Sequence, residues 1–271
     1  MRIFLLTLLG AGALPLAARA QQFAATHPPV TYRVGLVRAP LFRHPADTLR
    51  PADMFVPSQA AVGVVGELSP RWVVVEREGF RYLASAAALV GYDPADADPL
   101  PLSATTHRLT YEGVVQVPGT SQADLFARAR RWVSEAYNQQ NAELTREDAT
   151  SGQLQLRGTR LAQVYQDFQG VPRASYAGVV RHSLTIYVKD GRYKYVLTDF
   201  VHDAEGVPNL RSGGALEQKR ASLFGYAGLG SYQTWAELKT DALRDARTLV
   251  ASLEAAMTLQ KTKVPRNASD F

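Results

Sequence analysis

The sequence predicts an α+β fold: a small all-β unit, then an antiparallel sheet backed by two amphipathic helices. Three observations carry this reading. Clean hairpins turn at Glu78-Gly79 and at Asp190-Gly191. Two stretches, Leu125 to Tyr137 and Trp235 to Met257, place their apolar residues at helical spacing. A proline-rich break over Asp93–Ser103, holding Pro94, Pro99 and Pro101, divides the strand-rich first part from the rest.

The chain opens with Arg2, an apolar run from Ile3 to Leu16, and Ala18-Arg19-Ala20 before Gln21. Residues 1–20 therefore read as a secretory signal peptide, too short and wrongly flanked for a membrane span. No cysteine follows the run, which leaves no thiol for a lipid anchor. The mature chain is expected to be soluble and exported, periplasmic or extracellular. With no cysteine at all there are no disulfides and no thiolate metal site, so stability must come from packing. Hydrophobic residues make up 46% of the chain, enough for a real core. The net charge of +5, two units of which are Arg2 and Arg19 in the signal, falls far short of a nucleic-acid binder. No later stretch approaches the ~20 apolar residues of a transmembrane helix.

The first unit spans 30–92. Its hairpin pairs Trp72-Val73-Val74-Val75-Glu76-Arg77 with Phe80-Arg81-Tyr82-Leu83, setting Glu76 opposite Arg81. A linker follows over 93–106. The second unit spans 107–260, with a tail over 261–271. Its first strand is expected near Leu109 to Val117. Ser121, with Asp124 three residues on, opens a helix carrying Leu125, Phe126, Ala129, Trp132, Val133, Ala136 and Tyr137 on one stripe. Strands around Ala142–Thr150 and Gln153–Tyr165 meet near Ser151-Gly152, and Gly158 reads as a bulge.

The hairpin from Tyr176 to His202 has the cleanest alternation. Tyr176, Gly178, Val180, His182, Leu184, Ile186 and Val188 share one face. A two- or four-residue turn sets Val188, Ile186 and Leu184 against Tyr193, Tyr195 and Leu197. A three-residue turn would oppose them to Arg192, Lys194 and Val196, so the first register is strongly preferred. The other face carries Arg181, Ser183, Thr185, Tyr187 and Lys189 with Arg192, Lys194, Val196 and Thr198. Asp203–Ser231 holds six glycines and reads as a long irregular connection with a short helix over Leu216–Phe224. The last helix is expected to start at Thr234, with Glu237 at the capping-box position.

Two resemblances extend this reading. Ala39-Pro40-Leu41-Phe42-Arg43, the Trp72–Val75 strand and Gly79-Phe80-Arg81-Tyr82-Leu83 resemble bacterial SH3-like domains, which implies a small β-barrel. Arg81 stands where the usual closing pattern has a second glycine, which weakens any cell-wall-ligand role. The stretch from about His107 to His202 resembles a Bacteroidota family of exported domains of unknown function (domain of unknown function 4468) with a TATA-binding-protein-like (TBP-like) fold. The residues carrying that likeness are the Tyr111–Val117 strand, Asp124–Tyr137 with Arg131-Trp132, and the Leu184–Val188 and Tyr193–Phe200 strands. It implies architecture and no catalytic residue.

Candidate chemistry is sparse. His182 and Asp199 face each other in the preferred register, the base and orienter of a triad without a nucleophile, since Ser183 points away. A buried His–Asp hydrogen bond, raising the His182 pKa, is the plainer expectation. His182, Asp199, His202 and Asp203 suggest a metal site, but regular alternation puts the two histidines on opposite faces. No cofactor is expected. The better candidates are for binding: Arg181, Tyr187, Lys189, Arg192 and Lys194 on the basic face, and Leu223, Phe224 and Tyr226 in the glycine-rich loop. A groove of Trp72, Tyr82 and Phe42 competes with ordinary barrel packing. The expected protein is a non-enzymatic envelope binder or scaffold for a protein, peptide or anionic glycan. An exported hydrolase using His182 and Asp199 is the alternative.

Overall fold

The structure, a computed structural model, describes residues 29–49, 53–137, 141–168, 171–219, 221 and 232–258. The signal segment, Leu223, Phe224, Tyr226 and the tail lie outside these. Among the described residues no helix is long and apolar enough to cross a membrane.

In the first unit, β1 (Val30–Arg33), β4 (Ala61–Ser69), β5 (Trp72–Arg77) and β6 (Phe80–Ser85) form one antiparallel sheet in the order β1-β4-β5-β6. The pair β2 (Ala39–Leu41) and β3 (Met54–Val56) forms a second. The Glu78-Gly79 turn holds both residues at positive φ, 53° and 79°, as a two-residue hairpin turn of matching twist requires. Glu76 lies opposite Arg81 as expected. The barrel does not close. One bridge, Phe42 to Leu83, links the two sheets, and the β5–β6 hairpin buries separate clusters on its two sides.

The second unit is α+β. β7 (Thr110–Gln116), α1 (Gln122–Ala136), β8 (Ala142–Asp148), β9 (Gln153–Phe168), β10 (Val171–Lys189), β11 (Arg192–Asp203), β12 (Gly214–Ala215) and α2 (Tyr232–Thr258) follow in chain order. The sheet runs β12-β11-β10-β9-β8, with β7 pairing the other end of the same β11 edge. Ser121 caps α1, its hydroxyl accepting from the Asp124 N–H at 3.1 Å. The α2 helix begins at Tyr232, two residues before the expected start. Both helices cover one side of the sheet. Trp132 and Trp235 are buried there with Val180, Leu184, Ile186 and Val188, and Trp132 Nε1 donates to Ser252 Oγ, tying α1 to α2.

The hairpin register is the preferred one: Val188 opposes Tyr193, Ile186 opposes Tyr195 and Leu184 opposes Leu197. Two bulges alter what lies beyond it. At Ala177-Gly178 the pairing of β10 with β9 shifts, so Ala177 is buried while Tyr176 is exposed. Between Arg181 and Ser183 the pairing with β11 shifts again, and His182 opposes both Asp199 and Phe200. Gly158 is not a bulge. It pairs regularly with His182, and its missing side chain leaves the space that the His182 and Tyr137 rings fill. The connection after Asp203 is more ordered than its composition suggests. Its described part returns to the sheet edge as β12, buries Leu216, and shows a turn rather than a helix over 216–217.

The linker is docked rather than free. Pro94–Ala97 forms a turn of 3-10 helix capped by the Asp93 carboxylate. Asp96, fully buried at its side chain, accepts from both Arg244 and Arg247 of α2 and from Tyr32 Oη of β1 at 2.6 Å. The Arg244 guanidinium lies over the Tyr32 ring, 4.9 Å from its centre. One carboxylate thus joins three parts of the chain.

Asp96→Ala removes the buried carboxylate that Arg244 and Arg247 share, leaving them the more exposed Asp241 and Asp93 as partners. It should cost about 3 kcal/mol, the lower end for breaking a buried pair because both arginines keep some water. Chemical denaturation checks this, and a loss under about 1 kcal/mol, the range of an exposed pair, would show that the clamp is not structural.

Candidate functional site

The helices occupy one side of the sheet, and among the described residues nothing covers the other. Strand alternation sends Ser183, Thr185, Tyr187 and Lys189 of β10, with Arg192, Lys194, Val196 and Thr198 of β11, to this open side. Glu112, Val114 and Gln116 of β7 continue it. Tyr187 sits opposite Lys194, and Lys189 opposite Arg192. With Val114 these four line a shallow depression of about 400 Å³. Lys194 Nζ is 2.9 Å from Glu112 Oε2, which neutralises part of its charge. Among the described residues no carboxylate pairs with Lys189 or Arg192.

Arg181 does not belong with this group. It lies eight residues up the strand, roughly 26 Å away at strand rise. Its guanidinium is held by Asp203 at 3.1 Å and Glu205 at 2.5 Å, and these carboxylates raise its pKa against a small desolvation cost. The five residues expected to form one basic face are therefore four around a depression and one tied into a separate ion-pair cluster.

The expected His182–Asp199 pair is not formed. Asp199 is the extra residue of the β11 bulge, with φ of 59°, a left-handed conformation that aspartate tolerates better than most residues. The bulge turns its carboxylate outward to Arg108. Phe200 takes the inward place and stacks on the His182 ring at 5.9 Å. His182, 4% exposed, has its Nε2 2.8 Å from Tyr137 Oη and a backbone hydrogen bond to Val180. Burial and the nearby Arg160 guanidinium lower its pKa to about 4, opposite to the shift a carboxylate partner would give. The ring is thus a neutral core histidine with no carboxylate to orient it. The adjoining cavity, between the sheet and α2, measures about 30 Å³, room for a water or two.

The bulge also reverses the side on which His202 lies. It is fully buried on the same face as His182 rather than the opposite one. Both its nitrogens are engaged: Nε2 lies 2.7 Å from the Ala177 carbonyl, and the Gly213 N–H donates to Nδ1 at 2.9 Å. Asp203 points outward to Arg181 and Ser212. Among the described residues no three metal-ligating side chains converge.

In the first unit, Phe42 and Trp72 pack edge to face at 5.7 Å, while Tyr82 joins the cluster on the other side of the hairpin. The three do not line one groove. A wider groove of about 850 Å³, which sequence reasoning missed, runs between α1 and β8, where Arg130 pairs with Glu147 at 3.0 Å beside Phe126 and Arg131. The adjacent Arg130 and Arg131, absent from the apolar stripe of α1, were the available sequence signal.

Residues 111–203 match the family model described as domain of unknown function (DUF4468) with TBP-like fold. Two crystal structures are similar. A TBP-like protein from Parabacteroides distasonis is 12% identical, with 57% of this chain and 96% of that one covered and a TM-score of 0.41. A DUF4468 family protein from Bacteroides ovatus is 14% identical, covering 60% and 93%, with a TM-score of 0.42. No curated protein matches.

The state of His182 has a sign that can be measured. Its folded pKa lies below the ordinary histidine value of 6.5, so the unfolded chain takes up a proton first as pH falls. This contribution to stability is intact above pH 6.5 and declines through about pH 4, by about 3 kcal/mol in all. NMR titration should place the His182 midpoint near 4, unmoved by Asp199→Asn. A midpoint at or above 6.5 would mean that the ring is solvated or carboxylate-paired after all.

Proposed function

We propose that the protein is an exported, non-enzymatic binding or scaffolding protein of the cell envelope. Its ligand surface in this reading is the open side of the second unit's sheet, at the end formed by Tyr187, Lys189, Arg192 and Lys194. The observation that carries the proposal is the one-sided cover of the sheet. Among the described residues, a face several strands wide is left to solvent, with two cations that no carboxylate pairs beside an aromatic ring and an apolar Val114 that is 60% exposed. That combination suits an extended anionic partner, such as an acidic glycan or an acidic protein segment, through charge and ring contact together. Export rests on residues 1–20 alone. The first unit, in its SH3-like reading, serves as a second module held in place by the Asp96 clamp. The hydrolase alternative draws no support from the His182 geometry: the ring lacks an orienting carboxylate and is only 4% exposed, although it borders an open depression of about 620 Å³ with Gly158 and Asp199.

Lys189→Glu combined with Lys194→Glu should abolish retention of the mature chain on an acidic glycan matrix. Wild-type retention should fall as salt is raised past the ~10 Å screening length reached near 0.1 M. Equal retention of both proteins at low salt would remove this face as the binding surface.

A further inference from the structure

The sheet of the second unit has two long edge strands, and they differ in kind. β8 reads Ala-Glu-Leu-Thr-Arg-Glu-Asp, with four charges in seven residues and a register shift between Leu144 and Arg146. Charge and a bulge are the usual means of keeping an edge from pairing with another chain. β7 reads Thr-Tyr-Glu-Gly-Val-Val-Gln, with one charge, and pairs β11 over seven residues without a break. Its edge carries neither defence.

The hydrogen-bond directions along β7 define what is free. Val117 N–H donates inward to the Gly191 carbonyl, while Thr110 N–H points the other way, to the Pro101 carbonyl. Alternation therefore turns the N–H and C=O groups of Glu112, Val114 and Gln116 away from β11. Among the described residues none of these has a partner. The free window is closed at one end by Pro101, which already occupies Thr110, and at the other by Pro118, which ends the strand. Val114 is its midpoint.

We propose that β7 is a dimerisation edge, on which a second copy of this chain pairs antiparallel about a two-fold axis at Val114. The occupant follows from the symmetry of the window. Antiparallel self-pairing sets Val114 against its own copy, and Glu112 against the second copy's Gln116. Each of these residues then exchanges both its N–H and its C=O with the residue opposite. No like charges meet. The Glu112 carboxylate faces an amide with Arg192 of that copy one strand behind it, and the exposed Val114 gains an apolar neighbour. On the β7 edge itself an acidic foreign strand would bring a like charge against Glu112, and a basic one would bring a like charge beside Lys194 and Arg192 one strand behind.

Such pairing joins the two sheets into one and brings the two basic depressions together, because Val114 lines each depression and lies on the axis. A long anionic partner would then meet both at once, with the gain in avidity that linked sites give. This consequence rests on the binding role proposed above, but the pairing does not.

Sedimentation of the mature chain at rising concentration tests it. The wild type should form dimers at micromolar concentration. Val114→Lys, which puts like charges on the axis, should be monomeric with an unchanged circular dichroism spectrum. Val114→Pro removes an N–H that no described group in the protomer uses, and should act likewise. If the proline variant fails to fold, hydrogen exchange decides instead: the Glu112, Val114 and Gln116 amides should be protected in concentrated wild type and exchange freely on dilution. A wild type that stays monomeric overturns the proposal, as does a dimer untouched by Val114→Lys. Protection of these amides only after adding an acidic peptide would place a foreign strand there and overturn it equally. Retention on acidic glycan by a monomer would leave the binding role standing without the pairing.

Discussion

One inserted residue organises the second unit. In a regular β11, Leu197 and Asp199 would share the buried face and Phe200 would face water. A carboxylate desolvated without partners costs several kcal/mol, and an exposed phenylalanine forfeits the stabilisation of its burial. The bulge removes both penalties at once, at the expense of holding Asp199 at positive φ. Everything beyond it changes side: Phe200 and His202 turn inward, Val201 and Asp203 outward. The neutral His182, the packing of His202 against Trp235 and the Asp203–Arg181–Glu205 cluster all follow from that one shift.

The second constraint acts between the units. Asp96 meets Arg244 and Arg247 across 148 and 151 residues of sequence. Arg33 of the first unit lies over the Tyr165 ring of the long β9–β10 hairpin, 4.4 Å from its centre. The first unit therefore docks on α2 and the hairpin, away from the basic end of the open face. That geometry fixes the two modules without occupying the surface on which a partner would act. It also explains the acidic composition of the linker, since each aspartate that caps or pairs replaces a free spacer with an attachment.

The parts that were legible in the sequence are those where one pattern excluded its rivals. The register at Asp190-Gly191 could be read because the alternative set Val, Ile and Leu against Arg192 and Lys194. The helix stripes could be read because Trp132 and Trp235 each sat among apolar residues at the right spacing. The bulges could not be read by counting in twos, although the adjacent apolar pair Phe200-Val201 broke the alternation and was the available warning. The Asp96 clamp was illegible for another reason. An acidic, proline-rich stretch looks solvated until its arginines arrive on a helix far along the chain. Strand alternation alone brings Tyr187, Lys189, Arg192 and Lys194 to one end of the open face. Arg181 shares that face, but its pairing with Asp203 and Glu205 was illegible because they come alongside only after the bulge.

The balance of satisfied and unsatisfied groups favours a surface over a cavity as the working part. Inside, the histidines bond a tyrosine or the backbone, and the cavity beside His182 holds little more than a water. The open depression that His182 also borders, with Gly158 and Asp199, meets a ring that is only 4% exposed. Outside, among the described residues, Lys189 and Arg192 stand without counter-charges, and the β7 edge keeps three residues' main-chain groups unspent. Interactions of that sort are weak singly and span three neighbouring strands, two spacings or roughly 10 Å, so they discriminate by charge and by an extended backbone rather than by shape. The polymer or extended protein segment proposed as partner has both.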